Sequence, residues 1–161
     1  MKRTQRVCGQ GRGRAGQTLV EFALVVPLFF ILLFGIIDIG RLYSIQLTIQ
    51  NALRQAGRFA VTGNQVTQGT NTLSRVNSIK QVARDASGGL LTLTGIQVSS
   101  TPSGGGATIP NNAGGPGDVV TVSVTYNLQL LTPLISQFFA GGVYQINAST
   151  TFKSEPFPPP S

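Results

Sequence analysis

Residues Leu19 to Ile37 read LVEFALVVPLFFILLFGII, with Glu21 the one charge in an otherwise apolar run. With Gln17 and Thr18 the stretch reaches about 21 residues, enough as a helix to cross a hydrocarbon core of about 30 Å. It reads as one transmembrane helix. Pro27 removes a backbone donor, a defect membrane helices tolerate when neighbouring groups take up the freed carbonyl. A secretory signal would end in small residues at an A-x-A-like site. Here the run passes instead into DIGRLYSIQL, residues 38–47, which continues helically, so cleavage after the run is not expected.

Upstream, Lys2, Arg3, Arg6, Arg12 and Arg14 precede any acidic residue and account for most of the formal charge of +7. A basic tract directly before an apolar run holds an N-terminus in the cytoplasm, whereas nucleic-acid binders carry their charge on the folded domain. Membrane lipid is therefore the expected partner, and nucleic acid is not. Arg41, Arg54 and Arg58 beyond the span weaken this contrast without reversing it. Gly11, Gly13 and Gly16 spell G-x-G-x-x-G, but no strand precedes them and a membrane span follows, so no dinucleotide-binding unit can form. Cys8, the single cysteine, lies in the basic leader without a partner, which excludes a disulfide framework.

Downstream, Leu42, Ile45, Ile49, Ala52, Ala56 and Phe59 recur three and four apart, a heptad-like seam with Arg54 and Arg58 on the opposite face. A helix from Phe22 to Ala60 would run about 58 Å, so the membrane helix extends into a head outside the bilayer. Asp38 and Arg41, at i and i+3, form a membrane-boundary pair, with Arg41 close enough to the boundary to snorkel toward phosphates. Ala52, Ala56 and Ala60 permit either close approach of another helix or packing beneath a sheet. The second suits a head whose apolar stripe must be covered.

Val76, Ile79, Ala83 and Ala86 mark a second amphipathic helix ending at Gly88-Gly89. Leu90 to Ser99 is strand-like, and Thr101 to Gly117 is a Gly, Pro and Asn-rich loop long enough to be mobile. Asp118 to Tyr126 and Val143 to Lys153 alternate as half-buried strands. Between them Leu131, Leu134, Ile135, Phe138 and Phe139 either close the core or form an exposed contact patch. The expected fold is α+β: a long N-terminal transmembrane helix extending into a small head with a second helix and an antiparallel sheet of about three strands. The expected divisions are a basic leader at 1–16, the span at 17–37, the extracytoplasmic head at 38–155 and a Pro-rich tail at 156–161.

The chain offers little for catalysis. It has no histidine, and beyond the span its acids are only Asp38, Asp85, Asp118 and Glu155. No acid–base pair or metal-ligand set emerges, and Ser78 and Lys80, two apart on a helix, do not face each other. No enzyme, catalytic residue, cofactor or metal is expected. Glu21 still needs an explanation, because an acid costs about 2.5–3.5 kcal/mol at a membrane helix centre and less near its end. It sits either in the headgroup layer or beside a partner.

Gly16-Gln17-Thr18-Leu19-Val20-Glu21-Phe22, directly after a short basic leader, resembles the processing site of Flp-type prepilins and Tad pseudopilins. The resemblance implies a cut between Gly16 and Gln17 by a prepilin peptidase, leaving Glu21 as the fifth mature residue. It further implies that Glu21 pairs with the new α-ammonium of Gln17 on an adjacent subunit. The longer block GQTLVEFALVVPLFFILLFGIIDIGRLYSIQLTIQNALRQAGRFAVTG is similar to the TadE-like (TadE/TadG) family, with its core from Gly16 to Gly57. Asp38 and Arg41 fall where that family carries an acidic residue and a polar or basic one. The implied role is a minor pilin, pseudopilin or assembly subunit of a Flp/Tad pilus or related secretion apparatus. Its implied partners are other pilin or pseudopilin and Tad secretion subunits. It would be single-pass in the inner (cytoplasmic) membrane, N-terminus inside and head outside, or assembled into a cell-surface pilus. The rival reading is a single-pass cell-envelope scaffold or binding module that never enters a pilus, and leader removal separates the two.

Overall fold

Helix α1 runs unbroken from Arg12 to Val61 in the computed structural model, which describes residues 12–132 and 139–156. It begins inside the expected leader and passes through Pro27. Its two halves live in different surroundings. From Leu19 to Ile37 nearly every side chain is bare, Leu24 being 73% exposed. Beyond Leu42 the predicted seam turns inward, with Ile49, Ala52 and Ala56 fully buried and Leu42, Ile45 and Phe59 partly buried against the same core. Leu53 and Ala60 join them, widening the seam into a stripe that a sheet and a second helix both cover.

Helix α2, Arg75–Ala86, starts where the Ser74 hydroxyl accepts a bond from the Asn77 amide, satisfying one of the orphan donors of the first turn. It stops in a Schellman arrangement: Gly89 N–H bonds the Arg84 carbonyl, and Gly88 N–H bonds that of Asp85. Gly88 takes φ 64, a conformation that a side chain would strain. Ile79 and Ala83 face the core as expected, with Val76 and Ala86 at its margin.

The expectation of one sheet of about three strands is corrected. A two-stranded hairpin, β1 (Thr67–Gln68) and β2 (Asn71–Thr72), arises in the polar stretch between the helices. The main sheet has four antiparallel strands: β3 (Ile96–Thr101), β4 (Ile109–Pro110), β5 (Val119–Gln129) and β6 (Val143–Lys153), in the order β4-β3-β5-β6. The short β4 comes out of the Gly-rich loop, and its Pro110, which has no N–H to give, is tolerated because β4 is an edge. Strand β3 starts later than Leu90 because the residues after α2 are spent on turns. There Leu91 N–H bonds the Ser87 hydroxyl, and Gly95 N–H bonds the Thr92 carbonyl.

Val120, Val122, Val124 and Leu128 of β5 and Ile146 of β6 form one core with Ile49, Leu53 and Ala56. Eleven residues in each of β5 and β6 span about 36 Å, close to the roughly 35 Å of helix from Asp38 to Val61. The hairpin therefore lies along the outer half of α1. At its far end Glu155 N–H bonds the Val61 carbonyl, and Phe152 packs so closely on Gly57 that a methyl there would overlap the ring. At its near end Leu130 N–H bonds the Gly142 carbonyl, closing the ladder where α1 leaves the apolar run.

Candidate functional site on the long helix

Two polar groups on α1 stand out from its apolar surroundings. The first lies at the start of the apolar run. Gln17 and Glu21 are one turn apart on an exposed face, and the Gln17 side-chain amide donates to Glu21 Oε1 at 3.1 Å. Gly16 sits in the helix with nothing near the position a Cβ would occupy, so packing within the chain does not call for glycine there. A helical glycine costs about 0.5–1 kcal/mol relative to alanine.

The second group is at the boundary. Asp38 is only 4% exposed, although it borders a bare apolar helix. Its carboxylate accepts from Leu131 N–H at 3.0 Å, Thr132 N–H at 2.9 Å and the Thr132 hydroxyl at 2.7 Å. Arg41 Nη1 approaches Asp38 Oδ1 at 3.7 Å. The expected i, i+3 pair is present, and the structure adds further partners to it. Asp38 is taken up by the segment after β5, and Arg41 is a secondary neighbour. The partners lie more than ninety residues away in the chain, so no local pattern announced them.

Leu131 and Phe139 do not close the core: they are 59% and 38% exposed. Leu134, Ile135 and Phe138 lie outside the described residues. Phe139 and Tyr144 meet edge to face, centroids 5.8 Å apart. Ser78, on the buried face of α2, donates to the Ser74 and Leu73 carbonyls and accepts from Val66 N–H, which makes it a structural hydroxyl.

Two further residues carry structural loads that the sequence reading missed. The Arg75 guanidinium joins the Ala60 and Gly114 carbonyls, tying the end of α1 to the Gly-rich loop, and burial lowers its pKa from the ordinary guanidinium value. Asp118 clamps the same loop by accepting from Gly115 N–H at 2.7 Å and Ser103 N–H at 2.9 Å. These bonds hold its carboxyl below the ordinary 3.8. Among the described residues no three His, Cys, Asp or Glu side chains gather where a metal ion would bind.

One N-terminal helix, long and apolar enough to cross a membrane and joined to an α+β head, defines an architecture compatible with a single-pass membrane protein. Residues 16–58 match the family model described as TadE-like protein, at nearly the bounds the block Gly16 to Gly57 had suggested. The match takes in the apolar half of α1 and most of its buried half, and leaves α2 and the sheet outside it. No curated protein and no solved structure matches the chain.

Proposed function

We propose that this chain is a minor pilin, pseudopilin or assembly subunit of a Flp/Tad-type pilus or related secretion apparatus, with no catalytic role of its own. The observation that carries the reading is the TadE-like match beginning at Gly16, the residue after which the expected cut falls. The bare apolar half of α1 supports it, since such a surface needs lipid or neighbouring helices. In this reading the basic leader stays in the cytoplasm, the span lies in the inner membrane and the head faces outward. A prepilin peptidase cuts between Gly16 and Gln17, and Glu21 then pairs with the Gln17 α-ammonium of an adjacent subunit.

The test is intact-mass measurement of protein from its native membrane, together with co-purification of pilus or secretion subunits by wild type, Glu21→Ala and Glu21→Gln. A mature N-terminus at Gln17 is expected, with assembly lost in both variants while membrane levels hold. Breaking a buried ion pair by removing one member costs about 3–5 kcal/mol. An N-terminus at Met1 in cells with an active peptidase would favour the simple anchored scaffold. Equal co-purification by all three proteins would reduce Glu21 to a headgroup-layer residue.

A further inference from the structure

We infer that the head carries a second membrane contact: the near end of the β5–β6 hairpin, through Leu131, Phe139 and Tyr144, rests in the outer leaflet beside α1. The inference rests on the reading of residues 17–37 as a bilayer span. Asp38 is the first residue past that span, and its carboxylate holds Leu131 and Thr132 by three hydrogen bonds. The segment after β5 is thereby fixed at the depth where hydrocarbon gives way to headgroups. A cleft of about 180 Å³ carries the same relation further inward. Its walls are Gly35, Asp38, Ile39 and Leu42 of the helix and Leu130, Phe139 and Tyr144 of the hairpin, and Gly35 lies inside the span.

Of the residues placed there, Tyr144 has the chemistry of an interfacial belt, and Leu131 and Phe139 that of the hydrocarbon beside it. Leu131 is largely exposed, and Phe139 and Tyr144, an edge-to-face aromatic pair, are each more than a third exposed. Aromatic side chains with one polar end concentrate at membrane–water interfaces. Ile39, exposed on the helix just past the span, lines the same cleft as Phe139 and Tyr144, so the lipid that covers the helix also reaches the hairpin. Water on this surface would leave two apolar faces of one cleft wet, whereas the leaflet covers both. With the hairpin end seated, the rigid unit of helix and head meets the leaflet at two points, which restrains its tilt in the membrane.

The chain contains no tryptophan, so a single introduced Trp reports its own depth. Leu131→Trp and Phe139→Trp are each reconstituted as full chain into vesicles of phosphatidylethanolamine and phosphatidylglycerol with a phospholipid brominated near the top of its acyl chains. Phe22→Trp reports the span, and Gln68→Trp in β1, beyond the far end of α1, reports the distal head. The expected result is loss of emission at 22, 131 and 139 and none at 68. Loss at 22 with positions 131 and 139 unquenched like 68 would overturn the inference and leave the span standing. No loss at 22 would overturn the span and with it this inference. Protection of 131 from aqueous iodide without quenching by the brominated lipid would show that protein covers the patch, which also overturns it.

Discussion

Replacing Asp38 with alanine removes the acceptor of three hydrogen bonds and leaves two backbone N–H groups and the Thr132 hydroxyl without it. Bonds to a charged acceptor contribute about 1.5–3 kcal/mol each, but these three share one carboxylate and do not add in full. The loss of a buried charged partner, about 3–5 kcal/mol, is the better guide to the whole. The buried faces of β5, β6 and α1 are untouched, so the effect should appear as local opening at the near end of the hairpin rather than as unfolding of the head. In amide hydrogen exchange on the full chain in detergent micelles, protection at Leu131 and Thr132 should fall by about two to three orders of magnitude, tenfold corresponding to about 1.4 kcal/mol. Asp38→Asn keeps one acceptor oxygen but turns an NH₂ toward a donor, so its loss should be intermediate. Thr132→Val removes one bond to the charged acceptor and should cost about 1.5–3 kcal/mol. If Asp38→Ala left both amides as protected as in wild type, the carboxylate would not be holding the hairpin to the helix.

Two other expectations follow from the head. Gly57→Ala forces a methyl into the Phe152 ring and should lower stability by about 1–3 kcal/mol in thermal or urea melts, and the same change in a Phe152→Ala background should cost clearly less. Asp118 has a folded-state pKa below its unfolded value, so its contribution is full above the unfolded value near 3.8 and is lost as pH falls through the folded one. Acid exchange or NMR at Ser103 and Gly115 should therefore show the Gly-rich loop loosening only at strongly acidic pH, and Asp118→Asn should remove that pH dependence.

What was readable in the sequence was what depends on period. The apolar run, the seam from Leu42 to Phe59, the stripe on α2 and the alternation of Val120, Val122 and Val124 each repeat within a few residues. Each of those positions in the head lies in or beside the core. The bounds of β6, Val143 to Lys153, were legible for the same reason. What was hidden depends on meetings between distant segments. Strand β4 forms because Ile109 and Pro110 happen to lie beside Ser100 and Ser99, and nothing in ATIPNN signals pairing. Leu90 to Thr94 has strand composition, yet the Schellman turn and the Ser87 bond draw it into turns. Arg75 carries no signal in the sequence, because the two carbonyls that converge on it come from other segments.

The two acids of α1 show how far apart the fates of similar residues can be on one helix. A carboxylate offers about four lone-pair sites. Asp38 commits three of them to its own chain and keeps Arg41 nearby, so it has little left to offer another molecule. Glu21 has one hydrogen-bond donor among the described residues, the Gln17 amide, and its other oxygen remains open on an exposed face. In water that openness would be unremarkable. In or at the edge of a bilayer an acid with spare acceptor capacity is costly, and a donor from a neighbouring subunit relieves the cost. Satisfaction within the chain therefore makes Asp38 a fixture of the fold, whereas Glu21 keeps acceptor capacity that, under the proposed function, a neighbouring subunit would fill.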